Sequence, residues 1–165
     1  MRLSIVAALV NDNLVKVDND DVLLMSQVER NHFDNLTKGG WLLYGRETVD
    51  RGIRTLGQRK NLTLTSNSDY VGTGGFNFSD LKSAITYASD RGASELFIVG
   101  GMSLFSQYIN TVDRLYLNVI NLNYDVTGEK FPDLDMAEWN LNSELITEDE
   151  RLNAFVTFEV YDKVV

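Results

Sequence analysis

The chain has no cysteine, which excludes disulfides and thiolate metal sites. Its single histidine, His32, argues against a histidine-built metal centre, and no metal is expected. Long apolar runs are also missing. The longest, Leu3 to Val10, falls far short of the roughly 20 residues a membrane helix needs. With no signal-peptide pattern either, a cytoplasmic location is expected. Positive charge is scarce: 15 Lys and Arg face 24 Asp and Glu, for a net charge of −9. That balance argues against nonspecific binding to nucleic acid or anionic membranes. A polyphosphate ligand would have to be met by local basic side chains and backbone amides.

What is present suits an ordinary globule. At 165 residues, with 44% hydrophobic and 24% charged residues, one domain spanning 1–165 is expected to bury a substantial core. No repeat and no proline- or serine-rich linker divides it. Leu3–Val10 predicts a buried strand, Asn11–Asp21 a polar acidic loop, and Leu23–Leu36 a helix ended by Gly39-Gly40. Strands follow at Trp41–Tyr44, Lys60–Thr65, Leu96–Val99 and Arg114–Ile120. Ser79 is expected to cap a helix through Ser89, with Gly92 just past it, and Ser103–Ile109 reads as a short helix. Trp139–Leu145 and Ala154–Tyr161 alternate like an antiparallel hairpin. The fold class is therefore α/β, with a mostly parallel mixed sheet, flanking helices and an antiparallel C-terminal edge.

Two strands run directly into glycine turns, at Gly45-Arg46-Glu47-Thr48 and at Gly100-Gly101. Ligands of such sheets bind outside the carboxyl ends of the strands, where backbone N–H groups and helix N-termini receive anions. The second turn is not a full dinucleotide fingerprint, because Met102 follows the glycine pair.

Glu29 and Phe33 lie four residues apart on one helix face. A carboxylate beside an aromatic suits a flat, amidine-bearing heterocycle, taking two N–H bonds from its edge while the ring packs on its face. Taken locally, a helical glutamate is more often simply solvated. Arg46 and the helical amides after it suit phosphate, and Arg59 suits a carboxylate taken bidentately. Thr65-Ser66 suits a ribose phosphate or, equally, a capped turn. His32, among polar neighbours, reads as a cleft-rim side chain.

Taken in order, these pieces resemble dihydrofolate reductase. The carriers are Ser4-Ile-Val-Ala-Ala8, Glu29-x-x-x-Phe33, Gly45-Arg46-x-Thr48, Arg59-Lys-Asn61, Phe97-Ile-Val-Gly-Gly101, Leu115-Tyr-Leu117 and Gly128-Glu-Lys-Phe-Pro132. The resemblance spans Leu3 to about Phe158. It implies a monomeric enzyme that reduces dihydrofolate with NADPH, passing hydride to C6 of the pterin and a proton to N5. It assigns Glu29 and Asn118 to catalysis. It places Val6, Ala7, Ala8, Phe33, Leu56 and Arg59 with them around the substrate, Arg59 meeting the folate glutamate carboxylate. Around the cofactor it places Ala8, Val15, Gly45, Arg46, Glu47, Thr48, Leu64, Thr65, Ser66 and Val99. Gly100, Gly101, Met102, Ser103, Leu104 and Phe105 complete that set, with the glycine pair joined by a cis peptide.

The chain departs from the family pattern at several points. Leu14–Ser26, expected to cover the nicotinamide, lacks the usual glycine, proline and tryptophan and carries Asp18, Asp20 and Asp21. Asn118 stands where a threonine is usual, Phe105 replaces a tyrosine, Arg30 adjoins Glu29, and Gly57-Gln58 precedes Arg59. Two alternatives keep the same fold. One is a reductase of another pterin or pyrimidine, of the riboflavin-pathway type. The other is a catalytically weak member kept for binding or structure.

Overall fold

A computed structural model describes residues 1–18, 25–50, 57–70 and 75–165. Ten strands form one sheet: β1 (Arg2–Val10), β2 (Leu14–Val17), β3 (Trp41–Gly45), β4 (Lys60–Leu64), β5 (Phe76–Phe78), β6 (Glu95–Gly100), β7 (Arg114–Asn121), β8 (Gly128–Lys130), β9 (Trp139–Asp149) and β10 (Ala154–Lys163). Four helices are described: α1 (Gln27–Thr37), α2 (Arg46–Asp50), α3 (Leu81–Asp90) and α4 (Met102–Tyr108).

The main path of the sheet runs β5-β4-β3-β6-β1-β7-β10-β9. The six strands from β5 to β7 are parallel, and β10 and β9 add antiparallel pairs. β1 is buried along nearly its whole length, as befits a central parallel strand with both faces covered. Alternate residues sort into two cores. Ile5, Ala7, Leu9, Leu43, Ile98, Leu115 and Leu117 face α3 and α4. Val6, Leu42, Tyr44, Phe97 and Tyr116 face α1, against Phe33 and Leu36.

Four expectations change. Asn11–Asp21 is not all loop, because Leu14–Val17 pairs with both β1 and β8. The first helix is described from Gln27, with Ser26 as its cap, and the expectation for residues 19–24 lies outside the described residues. The cap of α3 is Asp80 rather than Ser79. Its carboxylate accepts from the Ser83 N–H at 2.8 Å, the stronger, charge-assisted choice at a helix N-terminus. The strand from Trp139 runs on to Asp149.

The chain enters at β1, leaves to build β3, β4 and β5, then returns to insert β6 between β3 and β1. That reversal brings the carboxyl ends of β1, β3 and β6 together. It is the switch point at which open α/β sheets form their ligand crevice.

Candidate functional site

The carboxyl end of the α1 face carries a buried acid, Glu29. Ser26 starts α1: its hydroxyl accepts the Glu29 N–H at 3.1 Å and donates to Asp149 Oδ2 at 2.7 Å. Asp149 also takes the Leu152 N–H at 3.2 Å, so the β9–β10 turn is tied to the first turn of the helix. This fixes Glu29 over the sheet, where it is 8% exposed. Opposite it stands Asn118 on β7, 1% exposed, between Ala8 on β1 and Phe158 on β10. Its Nδ2 donates to Glu29 Oε1 at 3.0 Å. Burial raises the pKa of Glu29, outweighing the opposing effects of the Asn118 bond and the Arg30 charge.

The second polar atom of Asn118 is not satisfied. Its Oδ1 is buried and has no hydrogen-bond partner. An orphaned buried acceptor costs about 1–3 kcal/mol, so such an atom calls for a partner. The Tyr44 hydroxyl is in the same position. It lies in the cluster with Phe33 and Val99, and burial pushes its pKa up to about 12 against the charge of Arg59.

Phe33 is half-buried on the same face. Val6 joins it there, whereas the Ala7 side chain packs in the opposite core. Arg59 is drawn to the end of α1. Its Nη2 donates to the Asp34 carbonyl at 2.9 Å and pairs with Asp34 Oδ1 at 3.3 Å, Nε reaches Thr37 at 3.3 Å, and Nη1 reaches the Gly57 carbonyl at 2.9 Å. Leu56 lies outside the described residues.

The second wall is the glycine cradle. Gly45 ends β3 and Gly100 ends β6, and the Gly100–Gly101 peptide is cis. Gly100 has φ +142°, where a side chain would be strained. A Cβ on Gly101 would lie 3.0 Å from the Thr48 hydroxyl. The backbone conformation at Gly100 and the close approach of Thr48 to Gly101 both favour glycine, and the result is bare backbone at the start of α4. Arg46 and Glu47 are exposed at the start of α2, while Thr48 is buried against the glycine pair. Met102 is half-buried, Ser103 exposed, and Leu104 and Phe105 buried, the Phe105 ring 5.4 Å from that of Phe131. Val15 on β2 and Leu64 on β4 pack on the larger core, while Val99 faces the α1 side. Thr65 caps its own turn by accepting the Asn67 N–H at 3.1 Å, and Ser66 is exposed.

His32 is half-buried and stacks on Phe158, with ring centres 3.8 Å apart and planes 16° from parallel. Burial lowers its pKa. Among the described residues no group of acids and histidines is arranged to hold a metal ion. Nor is any helix among them long and apolar enough to cross a membrane.

Sequence reasoning missed Ser26, Thr37, Tyr44 and Asp149. Ser26 carried a signal: Ser26-Gln-Val-Glu29 has capping-box spacing, which marks the helix start. The other three carried none: Asp149 meets Ser26 from 123 residues away, Arg59 reaches Thr37 from 22 residues on, and the Tyr44 hydroxyl is buried without a partner.

A glycine cradle at the switch point of a mostly parallel sheet, faced across β1 by a buried, amide-held carboxylate, defines an α/β protein with its crevice where such sheets receive ligands. The comparisons with known proteins agree. A model of the dihydrofolate reductase family matches residues 2–163. The dihydrofolate reductase of Bacillus subtilis (strain 168) is 31% identical over 163 residues, covering 98% of this chain and 94% of the relative. Dihydrofolate reductase type 3 of Salmonella typhimurium is 30% identical over 141 residues, covering 84% and 83%. The structure of the Enterococcus faecalis enzyme, complexed with NADP(H) and RAB-propyl, superposes with a TM-score of 0.85 at 24% identity, covering 99% of this chain and 97% of that one. The chain belongs to the dihydrofolate reductase family, whose members are oxidoreductases.

Proposed function

We propose that this single-domain protein reduces 7,8-dihydrofolate to 5,6,7,8-tetrahydrofolate with NADPH, as a cytoplasmic monomer. The observation that carries this reading is the buried Glu29 carboxylate, held by Asn118 across β1 from the glycine cradle, in a chain of this family.

The cradle fits a dinucleotide. Gly100, at φ +142°, and Gly101, whose Cβ would crowd the Thr48 hydroxyl at 3.0 Å, leave bare backbone there, and the exposed Arg46 at the start of α2 supplies positive charge for phosphate. Gly45, Thr48, Thr65, Ser66 and the first residues of α4 would hold the rest. NADPH bound along that wall supplies the hydride for C6 of the pterin.

Glu29 accepts the N3 and 2-amino hydrogens of the pterin, and Phe33 packs on the ring. Burial favours the protonated carboxyl, so Glu29 keeps a proton closer to neutral pH than an exposed glutamate and favours its delivery to N5. The low-dielectric surroundings also make each ring contact worth more than in water. Arg59, its guanidinium already oriented by Thr37 and Asp34, meets the glutamate tail of the substrate.

The test is NADPH oxidation in the presence of dihydrofolate. Glu29→Ala should abolish turnover at neutral pH and leave NADPH affinity nearly unchanged; undiminished turnover would remove Glu29 from its role. One observation favours a second reading, a reductase for a pterin or pyrimidine without an acidic tail: Asp34 already pairs with Arg59. Equal turnover of tailed and tailless substrates would support it.

A further inference from the structure

We propose that the outer edge of β9 is a docking strand for a partner protein, which adds an extended segment of alternating basic and apolar residues. The surface is separate from the folate site: β9 closes the sheet on the far side of β1 from the glycine cradle.

Among the described residues β9 pairs with β10 alone, so its second row of backbone N–H and C=O groups is open. Edge strands are normally blunted by shortness, lysine or proline. β9 runs from Trp139 to Asp149, 11 residues, without Lys, Arg or Pro. The register shifts once, at Asn142, and Ser143–Asp149 then pairs without a break with Ala154–Val160. A regular open run of that length can template one further strand.

Its side chains say what that strand carries. Leu145 pairs with Phe158, which lies under His32 of α1, so Ser143, Leu145 and Thr147 share the α1 face. Glu144, Ile146 and Glu148 take the other face, opposite Glu159, Thr157 and Phe155 of β10. There Ile146 is 58% exposed and its diagonal neighbour Phe155 57%. Glu144 stands directly across from Glu159, and like charges so placed destabilise a sheet. The Tyr161 hydroxyl donates to Glu159 at 2.9 Å, yet burial and the charges of Glu144 and Asp12 still raise the pKa of Glu159. Along β9 this face therefore reads acid, apolar, acid at alternate positions. A strand laid against it is matched by base, apolar, base at the same period. A Lys or Arg beside Glu144 and Glu159 turns their repulsion into attraction. A second copy of the chain does the opposite, setting Glu144 and Glu148 against their own counterparts in a protein of net charge −9.

The test uses the full chain and a blocked peptide, Thr-Lys-Thr-Val-Thr-Lys-Thr, which sets its basic and apolar residues opposite Glu148, Ile146 and Glu144. A scrambled peptide, Lys-Lys-Val-Thr-Thr-Thr-Thr, keeps the charge and loses the period. In backbone amide NMR titrations up to about 1 mM, the alternating peptide should shift β9 resonances saturably and slow exchange of the outward amides, binding about tenfold tighter than the scrambled one. Glu144→Lys should weaken the alternating peptide about tenfold and, by facing Glu159 with a cation, raise Tm by up to about 3 °C. No binding to wild type, shifts centred away from β9, equal binding of the scrambled peptide or unaltered affinity in Glu144→Lys each overturns the proposal. A lower Tm in that variant overturns it too, by removing the repulsion that calls for a cation. So does a dimer formed through β9 in sedimentation, which makes a second copy the occupant. If Glu144→Lys does not fold, the affinity of Glu144→Gln decides.

Discussion

Three polar residues stand on one face of β7, two apart: Arg114, Tyr116 and Asn118. At the amino end of the strand every partner is present. Arg114 forks onto Asp162 through Nε at 2.6 Å and Nη2 at 3.0 Å, and Asn142 adds a bond to the same carboxylate. The Tyr116 hydroxyl donates to Glu95 at 3.2 Å, and Ser4 donates to that carboxylate too. At the carboxyl end Asn118 has one bond made and one acceptor empty, beside an acid whose charged form burial disfavours. The same strand therefore carries a completed network and an unfinished one. Completed networks contribute stability, whereas unfinished ones mark where a ligand supplies the missing group.

The largest break in this comparison comes from Glu29→Gln. Turnover should fall by about a hundredfold or more, as expected for loss of a group that binds the ring and handles its proton. The same variant should melt higher than the parent at neutral pH. Because the folded state favours the protonated Glu29, its contribution to stability is fully present at acid pH and is lost as pH rises through its raised pKa. The gain should vanish below the ordinary carboxyl range. A variant less stable than the parent at neutral pH would contradict the burial argument.

Ser26→Ala removes the helix cap and the tie to Asp149. It should cost about 1 kcal/mol in denaturant unfolding and lower kcat, since it frees the turn that carries Glu29. Arg114→Met, at the completed end, should cost about 1 kcal/mol and lower Tm by about 2–4 °C, with kcat and KM for dihydrofolate unchanged. A changed kcat there would mean that the two ends are coupled.

Asp34→Asn is the smallest test. It removes the charge that competes for Arg59, so KM for a substrate with a carboxylate tail should fall by up to about fivefold, and tailless ligands should not notice. An equal effect on both would separate Arg59 from the tail.

Much of the scaffold was readable from local pattern. The β1 run, the glycine turns after β3 and β6, and the helix between Ser26 and Gly39 each follow from residues within a few positions of one another. Local pattern failed where structure is assembled from afar. Leu14–Val17 looks like part of a polar loop, and it becomes a strand because β1 and β8 flank it. Thr65-Ser66 left two readings open, and the Thr65 hydroxyl is found capping its own turn.

The sequence by itself determined the order of the longer strands and helices, the glycine turns and the pairing of an acid with an aromatic on one helix face. Those depend on backbone sterics and short-range periodicity, which a few neighbouring residues express. Only the tertiary structure decided that Glu29 is buried, that Asn118 grips it from 89 residues away, and that Ser26 is anchored 123 residues on by Asp149. It also left Asn118 Oδ1 without a partner. The physical reason is that burial and hydrogen-bond completion belong to sheet register, which brings distant residues within a few ångströms and which no local stretch of sequence encodes.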